Sequence, residues 1–253
     1  MNFRKSSLIA FATAFLLGGA AWLHAEVKLI DPDYDFGIVR ELSGIQSGKA
    51  HIVNYGPDTI QITGVRPSCG CTGADYADGP VAPGDTAVIN FTYDPFRRPG
   101  SISKTVKVYA EPGGQRFVIR LGGRVVGTPQ TLSRNYPVEC GPLRLSESTI
   151  ELRNVKPSTG RHAFIRMVNQ SMDTITPVWD FDNPALSIAM SPERLAPGEI
   201  GSMGIYLNTR FEPRSGNVEY KIPISTAEDS VTTTVTLKAN ILQPDTLSGK
   251  KQG

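Results

Sequence analysis

The sequence predicts an all-β protein, two tandem immunoglobulin-like β-sandwiches behind an N-terminal signal peptide. Three observations carry this. Short runs of apolar–polar alternation recur along the chain, the second half repeats the first, and the first 25 residues have the pattern of an export signal.

The stretch MNFRKSSLIAFATAFLLGGAAWLHA carries Arg4 and Lys5, then no charge until Glu26. A short apolar run follows, with the small residues Gly18, Gly19, Ala20 and Ala21, which is how a secretory signal is built. Cleavage is expected after Ala25. The alternative is an uncleaved anchor, because residues 6 to 23 are uncharged and a bilayer span takes about 20 residues. Loss of the signal removes two of 26 cations and leaves 24 against 24 acids, with no membrane span. A neutral surface gives no electrostatic case for nucleic acid.

The rest of the 253-residue chain suits two domains of about 100–150 residues each. Residues 26–127 form the first and 137–243 the second. A polar, turn-rich linker, 128–136, joins them, and 244–253 is a polar tail. Cores of this size fold without disulfides, so the three cysteines have a local purpose or none.

Nineteen prolines and 25 glycines interrupt the chain and leave little room for helices. Between them lie strands with one buried face. In TAVINFTYD, Ala87, Ile89, Phe91 and Tyr93 point inward, Asn90 and Thr92 outward. Phe117, Ile119 and Leu121 share a face, opposite Arg116 and Arg120. Val218, Tyr220, Ile222 and Ile224 alternate with Glu219, Lys221 and Pro223, the proline arguing for a sheet edge. Val231, Thr233, Val235, Leu237, Ala239 and Ile241 share another face. By contrast ADYADGPV reads as a poor strand. Many short strands at this spacing indicate sandwiches.

The repeat fixes the number of sandwiches. Asn54 in HIVNYGPDTIQITGV matches Asn169 in IRMVNQSMDTITPVW, a shift of 115. Pro83-Gly84 matches Pro197-Gly198 at 114, and Phe96 matches Phe211 at 115. Three ordered matches at nearly one offset indicate a duplicated domain. The repeated Asn-Tyr-Gly-Pro-Asp and Ala-Pro-Gly-Asp segments read as structural turns.

The second half lacks one feature of the first, PSCGCTGADY. Its counterpart, PVWDFDNPALS, carries Trp179 and Phe181 and no cysteine, so the fold does not depend on Cys69 and Cys71. Loops on a rigid scaffold are where function sits. Direct bridging of two cysteines needs Cα atoms about 4.4–6.8 Å apart. Gly70 can take positive φ and fold the pair closer. Thiolate activation needs a positive neighbour, for which Arg66 is the candidate. Cys-Gly-Cys also offers two soft ligands for copper(I) or zinc. A closed zinc site wants four ligands, and Cys140, His51 and His162 are the others available, none at motif spacing. In a seven-strand sandwich the loop after the third strand faces the linker, which puts Cys140 within reach. Cys69, Cys71 and Cys140 are therefore the disulfide or redox candidates. Either Cys69 pairs with Cys71 and Cys140 stays free, or Cys140 pairs with one of them.

The pattern Asn54-Tyr55-Gly56, Ser68-Cys69-Gly70-Cys71-Thr72 and Pro83-Gly84 resembles an exported bacterial family, domain of unknown function 1573, over roughly residues 33 to 126. The resemblance implies an immunoglobulin-like fold related to major-sperm-protein and pilus-chaperone domains, and no established activity.

No nucleophile elbow, phosphate-binding glycine loop or metalloprotease helix motif is present. The expected function is a non-catalytic exported binding or structural module of the bacterial cell envelope or periplasm, with a protein partner and no cofactor. The alternatives are a periplasmic thiol-redox or copper-handling protein using Cys69 and Cys71, and a chaperone-like protein that pairs a strand with a client.

Overall fold

Alternation in sequence becomes pairing in space. The computed structural model describes residues 26–243, so the expected signal segment and the polar tail lie outside the described residues. The first sandwich is built from β1 (Val27–Leu29), β2 (Asp33–Arg40), β3 (Gln46–Asn54), β4 (Ile60–Pro67), β5 (Thr72–Tyr76), β6 (Pro80–Val81), β7 (Thr86–Tyr93), β8 (Gly100–Glu111) and β9 (Gln115–Val126). Its sheets run β1-β3-β7-β5 and β2-β9-β8-β4-β6. A helical turn, α1 (Pro129–Leu132), leads into the second sandwich. That one comprises β10 (Val138–Cys140), β11 (Leu143–Leu145), β12 (Thr149–Val155), β13 (Gly160–Asn169), β14 (Pro177–Trp179), β15 (Leu186–Ser191), β16 (Ile200–Asn208), β17 (Gly216–Thr226) and β18 (Asp229–Ile241). Its sheets run β10-β11-β13-β16-β15 and β12-β18-β17-β14. Among the described residues no helix is long and apolar enough to cross a membrane.

Each sandwich has its own core. On β7, Ile89, Phe91 and Tyr93 are buried and Ala87 is half-buried, while Asn90 and Thr92 are less enclosed than their inward neighbours. Phe91 meets Tyr34 edge-on, ring centroids 5.0 Å apart, and Phe36 at 6.2 Å. Gly48 lies directly beneath, where a Cβ would come within 2.5 Å of the Phe91 ring. In the second sandwich Val218, Tyr220, Ile222 and Ile224 lie beside Val235, Leu237, Ala239 and Ile241 of the neighbouring strand, all within one cluster. Val231, expected on that face, is exposed near the start of β18.

Two readings of strands are corrected. β17 is an interior strand, between β18 and β14. Pro223 is tolerated there because β14 pairs only as far as Ile224, leaving Pro223 beyond its end. The weak segment after the cysteines does form a strand, β5, which pairs along Thr72–Tyr76 with β7 alone. An edge strand has one ladder to satisfy, so its sequence is less constrained.

The repeated asparagines pin equivalent turns. Asn54 Nδ2 donates to the carbonyls of Asp58 (2.8 Å) and Val81 (2.9 Å), and its Oδ1 accepts from Gly56 N (3.0 Å). Asn169 Nδ2 donates to Asp173 O (2.6 Å) and Leu195 O (2.9 Å), and its Oδ1 accepts from Ser171 N (2.8 Å). The Pro-Gly turns then close on them. Gly84 N donates to Asn54 O at 2.8 Å and Gly198 N to Asn169 O at 2.9 Å. Both asparagines are fully buried.

The connecting segment is docked. The Glu41 carboxylate, 2% exposed, accepts from Arg97 N (3.0 Å), Thr128 N (2.7 Å) and Thr131 Oγ1 (2.6 Å). Thr128 caps α1 through its side chain. Leu132 and Tyr136 pack on Val168 of β13, and Arg144, itself buried, donates from Nε to Tyr136 O at 2.8 Å. Gly198, at φ +67°, sits against the first sandwich, where a Cβ would meet Val125 O at 2.9 Å. Arg124 and Glu199 pair across the same boundary at 3.5 Å.

Acid sensitivity follows from one buried carboxylate. Glu212 is held down to about pKa 2 from its usual 4.5 by the Arg214 guanidinium, then by the Tyr220 hydroxyl and the Arg214 backbone. Its side chain is only 3% exposed, although Arg214 is largely in solvent. A depressed carboxylate stabilises the fold fully above its unfolded pKa and loses that contribution as pH falls through the folded one. With a discount for the exposed arginine, Glu212 contributes about 2–3 kcal/mol, lost between about pH 4.5 and 2. Glu212→Gln is expected to flatten this part of the stability–pH curve. An unchanged acid limb in urea titrations would show that other carboxylates carry it.

Candidate functional site

Cys69-Gly70-Cys71 is the crossover from β4 in one sheet to β5 in the other. The turn is fixed from both sides. Ser68 N donates to Thr105 O (2.9 Å), and Ser68 Oγ accepts from Thr105 N (3.0 Å). After the turn, Asp94 N donates to Cys71 O at 2.9 Å. Thr72 N closes it on Cys69 O at 3.3 Å.

The structure brings Cys69 and Cys71 together as a close sulfur pair, with Cα atoms 5.3 Å apart. Their surroundings differ. Cys71 is 8% exposed and packs with Val39, Tyr93, Ile102 and Val125, whereas Cys69 is half-buried at the margin of that cluster. Val125 is also the residue whose carbonyl faces Gly198. The turn thus lies at the end of the sandwich from which the chain leaves. The Thr72 hydroxyl, buried with its residue, stands 3.3 Å from Cys69 Sγ and 3.9 Å from Cys71 Sγ.

Cys140 is not brought to this pair. It is fully buried in the second core, where its thiol has the carbonyls of Ile224 (3.3 Å) and Val231 (3.5 Å) as acceptors within reach for its one hydrogen. Burial pushes its pKa up, which is the setting of an inert thiol. The structure thus keeps Cys140 in the second core, away from the cysteine loop. The strand count that put it within reach assumed seven strands, whereas this sandwich has nine.

Gly70 does not use the conformational freedom of a glycine. It is absent from the residues with positive φ, and a Cβ there would touch nothing within 4 Å. The second sandwich explains why. There Asn208 N donates to Ala185 O (2.8 Å) and Leu186 N to Asn183 O (2.9 Å), the same two bonds one repeat later. By these bonds Asn183, Pro184 and Ala185 stand where Cys69, Gly70 and Cys71 stand in the first copy. Ala185 is buried as Cys71 is, and a proline occupies the glycine's place. Gly70→Ala is accordingly expected to leave stability within about 0.5 kcal/mol of the parent. A thermal melt displaced by more than several degrees would reveal a backbone demand at this position.

Arg66 is exposed on β4, in register with Lys107, and the hydrogen-bonding neighbour of the sulfurs is a hydroxyl. His51 is half-buried on β3 opposite Val88, and His162 stacks beside Phe164 and Tyr206 on the second sandwich. Among the described residues no three His, Cys, Asp or Glu side chains converge as a metal site would require. Glu41 escaped sequence reasoning. Its partners at positions 97, 128 and 131 are remote in the chain, and no local motif marks it.

Residues 27–125 match the family model described as protein of unknown function (DUF1573), so the family resemblance holds over the first sandwich. No curated protein matches the chain. Similar solved structures include a protein of unknown function from Porphyromonas gingivalis W83, 14% identical with a TM-score of 0.35, covering 85% of this chain and 99% of that one. The PapD-like domain 7 of human CEP192 is 10% identical with a TM-score of 0.36, over 51% of this chain and 99% of that domain. An endo-fucoidan hydrolase of glycoside hydrolase family 107 is 12% identical with a TM-score of 0.36, over 93% of this chain and 31% of its own. At these identities and scores none bears on activity.

Proposed function

We infer that the protein is an exported, non-catalytic binding or structural module of the bacterial cell envelope. The observation that carries this reading is the docked junction. Glu41, α1 and the Gly198 turn hold two sandwiches as one body, which suits a spacer or a composite binding surface. The edge strands β5 and β15 each pair on one side only, and a free strand edge is a ready surface for a protein partner. Export is supported by the pattern of residues 1–25 and by a close cysteine pair, which persists in oxidising compartments.

Osmotic-shock release of a mature protein beginning at or near Glu26 tests export. An intact N-terminus in the membrane fraction would replace it with anchoring. Photo-crosslinkers placed on β5 and β15 in living cells test the module. The expected result is one envelope protein captured from one edge, with a lower yield in Glu41→Ala, which loosens the junction. Equal, diffuse labelling from both edges would sink the binding reading.

A further inference from the structure

The geometry points to a thiol–disulfide exchange site at the cysteine turn, entered at Cys69 and reduced by a dithiol. Three independent features lead there. First, the fold does not need the bond. The second sandwich closes the same turn with Asn183, Pro184 and Ala185, using equivalent backbone hydrogen bonds. A bridge between residues two apart also restrains the unfolded chain very little. Second, the two sulfurs are unequal. Cys69 is half-buried between the exposed Ser68 and Gly70, and Cys71 is buried within the apolar cluster. A reagent in solution reaches Cys69 more readily than Cys71. Third, the Thr72 hydroxyl lies within reach of both and can donate to whichever becomes a thiolate.

One thiolate of the dithiol attacks Cys69 Sγ, forming a mixed disulfide as the Cys69–Cys71 bond breaks. The bonding pair leaves on Cys71 Sγ, which takes a proton. The second thiol of the partner, deprotonated, attacks the partner's own sulfur in the mixed disulfide and expels Cys69 as thiolate, which is protonated in turn. The protein disulfide is reduced to a dithiol and the partner dithiol is oxidised to a disulfide, with two electrons and two protons transferred. The reverse sequence reoxidises the pair. Cys140, enclosed in the other core, takes no part and serves as an internal control.

The test uses the full chain and glutathione. Equilibrated in buffers from fully oxidised to fully reduced glutathione and quenched with a charged alkylating reagent, the protein is expected to gain two labels, on Cys69 and Cys71. Cys140 stays unlabelled until denaturant is added. Structural disulfides resist the glutathione pool, so a pair still oxidised in reduced glutathione alone would overturn the proposal. Entry at Cys69 predicts that the transient glutathione adduct maps to that residue in peptide digests of the wild type. C71S should form an adduct with oxidised glutathione at least about tenfold faster than C69S, from the difference in access. Equal rates in the two variants, or a wild-type adduct on Cys71, would refute the assigned direction. Labelling of Cys140 in a variant reports misfolding, and the wild-type digest then decides. None of these outcomes bears on the docked junction, so failure here leaves the module reading standing.

Discussion

Phe91→Ala is expected to destabilise the first sandwich by about 3–5 kcal/mol, the usual cost of emptying a buried phenylalanine site. The magnitude follows from what the ring touches. Phe91 is 1% exposed, lies against Gly48, and meets two further aromatic rings edge-on. Its own strand, β7, is held in ladders on both sides by β3 and β5, so the cavity cannot close by collapse. Urea unfolding followed by tyrosine fluorescence would read the change. A loss below about 1 kcal/mol would mean that neighbouring side chains refill the space. Thr92→Ala, one residue on and facing the other way, is expected to change stability by no more than about 0.5 kcal/mol.

Asn54→Ala should cost about 2–4 kcal/mol, since it strands two carbonyl oxygens and one amide in the turn it pins, and each buried unsatisfied group costs about 1–3 kcal/mol. The estimate is below the sum of three full penalties because the Asp58 carbonyl is only partly enclosed. Asn54→Asp is expected to be worse than alanine. It keeps the acceptor for Gly56 N but presents a carboxylate to the carbonyls of Asp58 and Val81. The same ranking is expected for Asn169 in the second sandwich, where the partners are Asp173, Leu195 and Ser171. Thermal unfolding of the two alanine variants makes the comparison direct. A change under about 1 kcal/mol at either position would show that water replaces the side chain there.

The sandwiches were legible because their signals are local. A strand with one buried face announces itself by period two, so Ile89, Phe91 and Tyr93 were placed correctly from sequence, as were Tyr220, Ile222 and Ile224. The duplication was legible for a related reason. A buried asparagine that bonds carbonyls on both sides of a turn tolerates few substitutes, and it left the same letter at 54 and 169. The cysteine turn stood out because its counterpart lacks sulfur.

What the tertiary structure decided is everything that depends on sheet order. β5 is a strand because β7 offers it a ladder, not because ADYADGPV favours one. Pro223 sits in an interior strand because β14 stops one residue short of it. The backbone of Gly70 needs no glycine, which only the matching Pro184 turn makes plain. Cys140 lies in the second core rather than beside the cysteine pair, and Glu41 locks the junction through groups 56 to 90 residues away. A period of two says which face of a strand is buried. It carries no information about which strand lies alongside, and the partners of Cys140 and Glu41 follow from that arrangement alone.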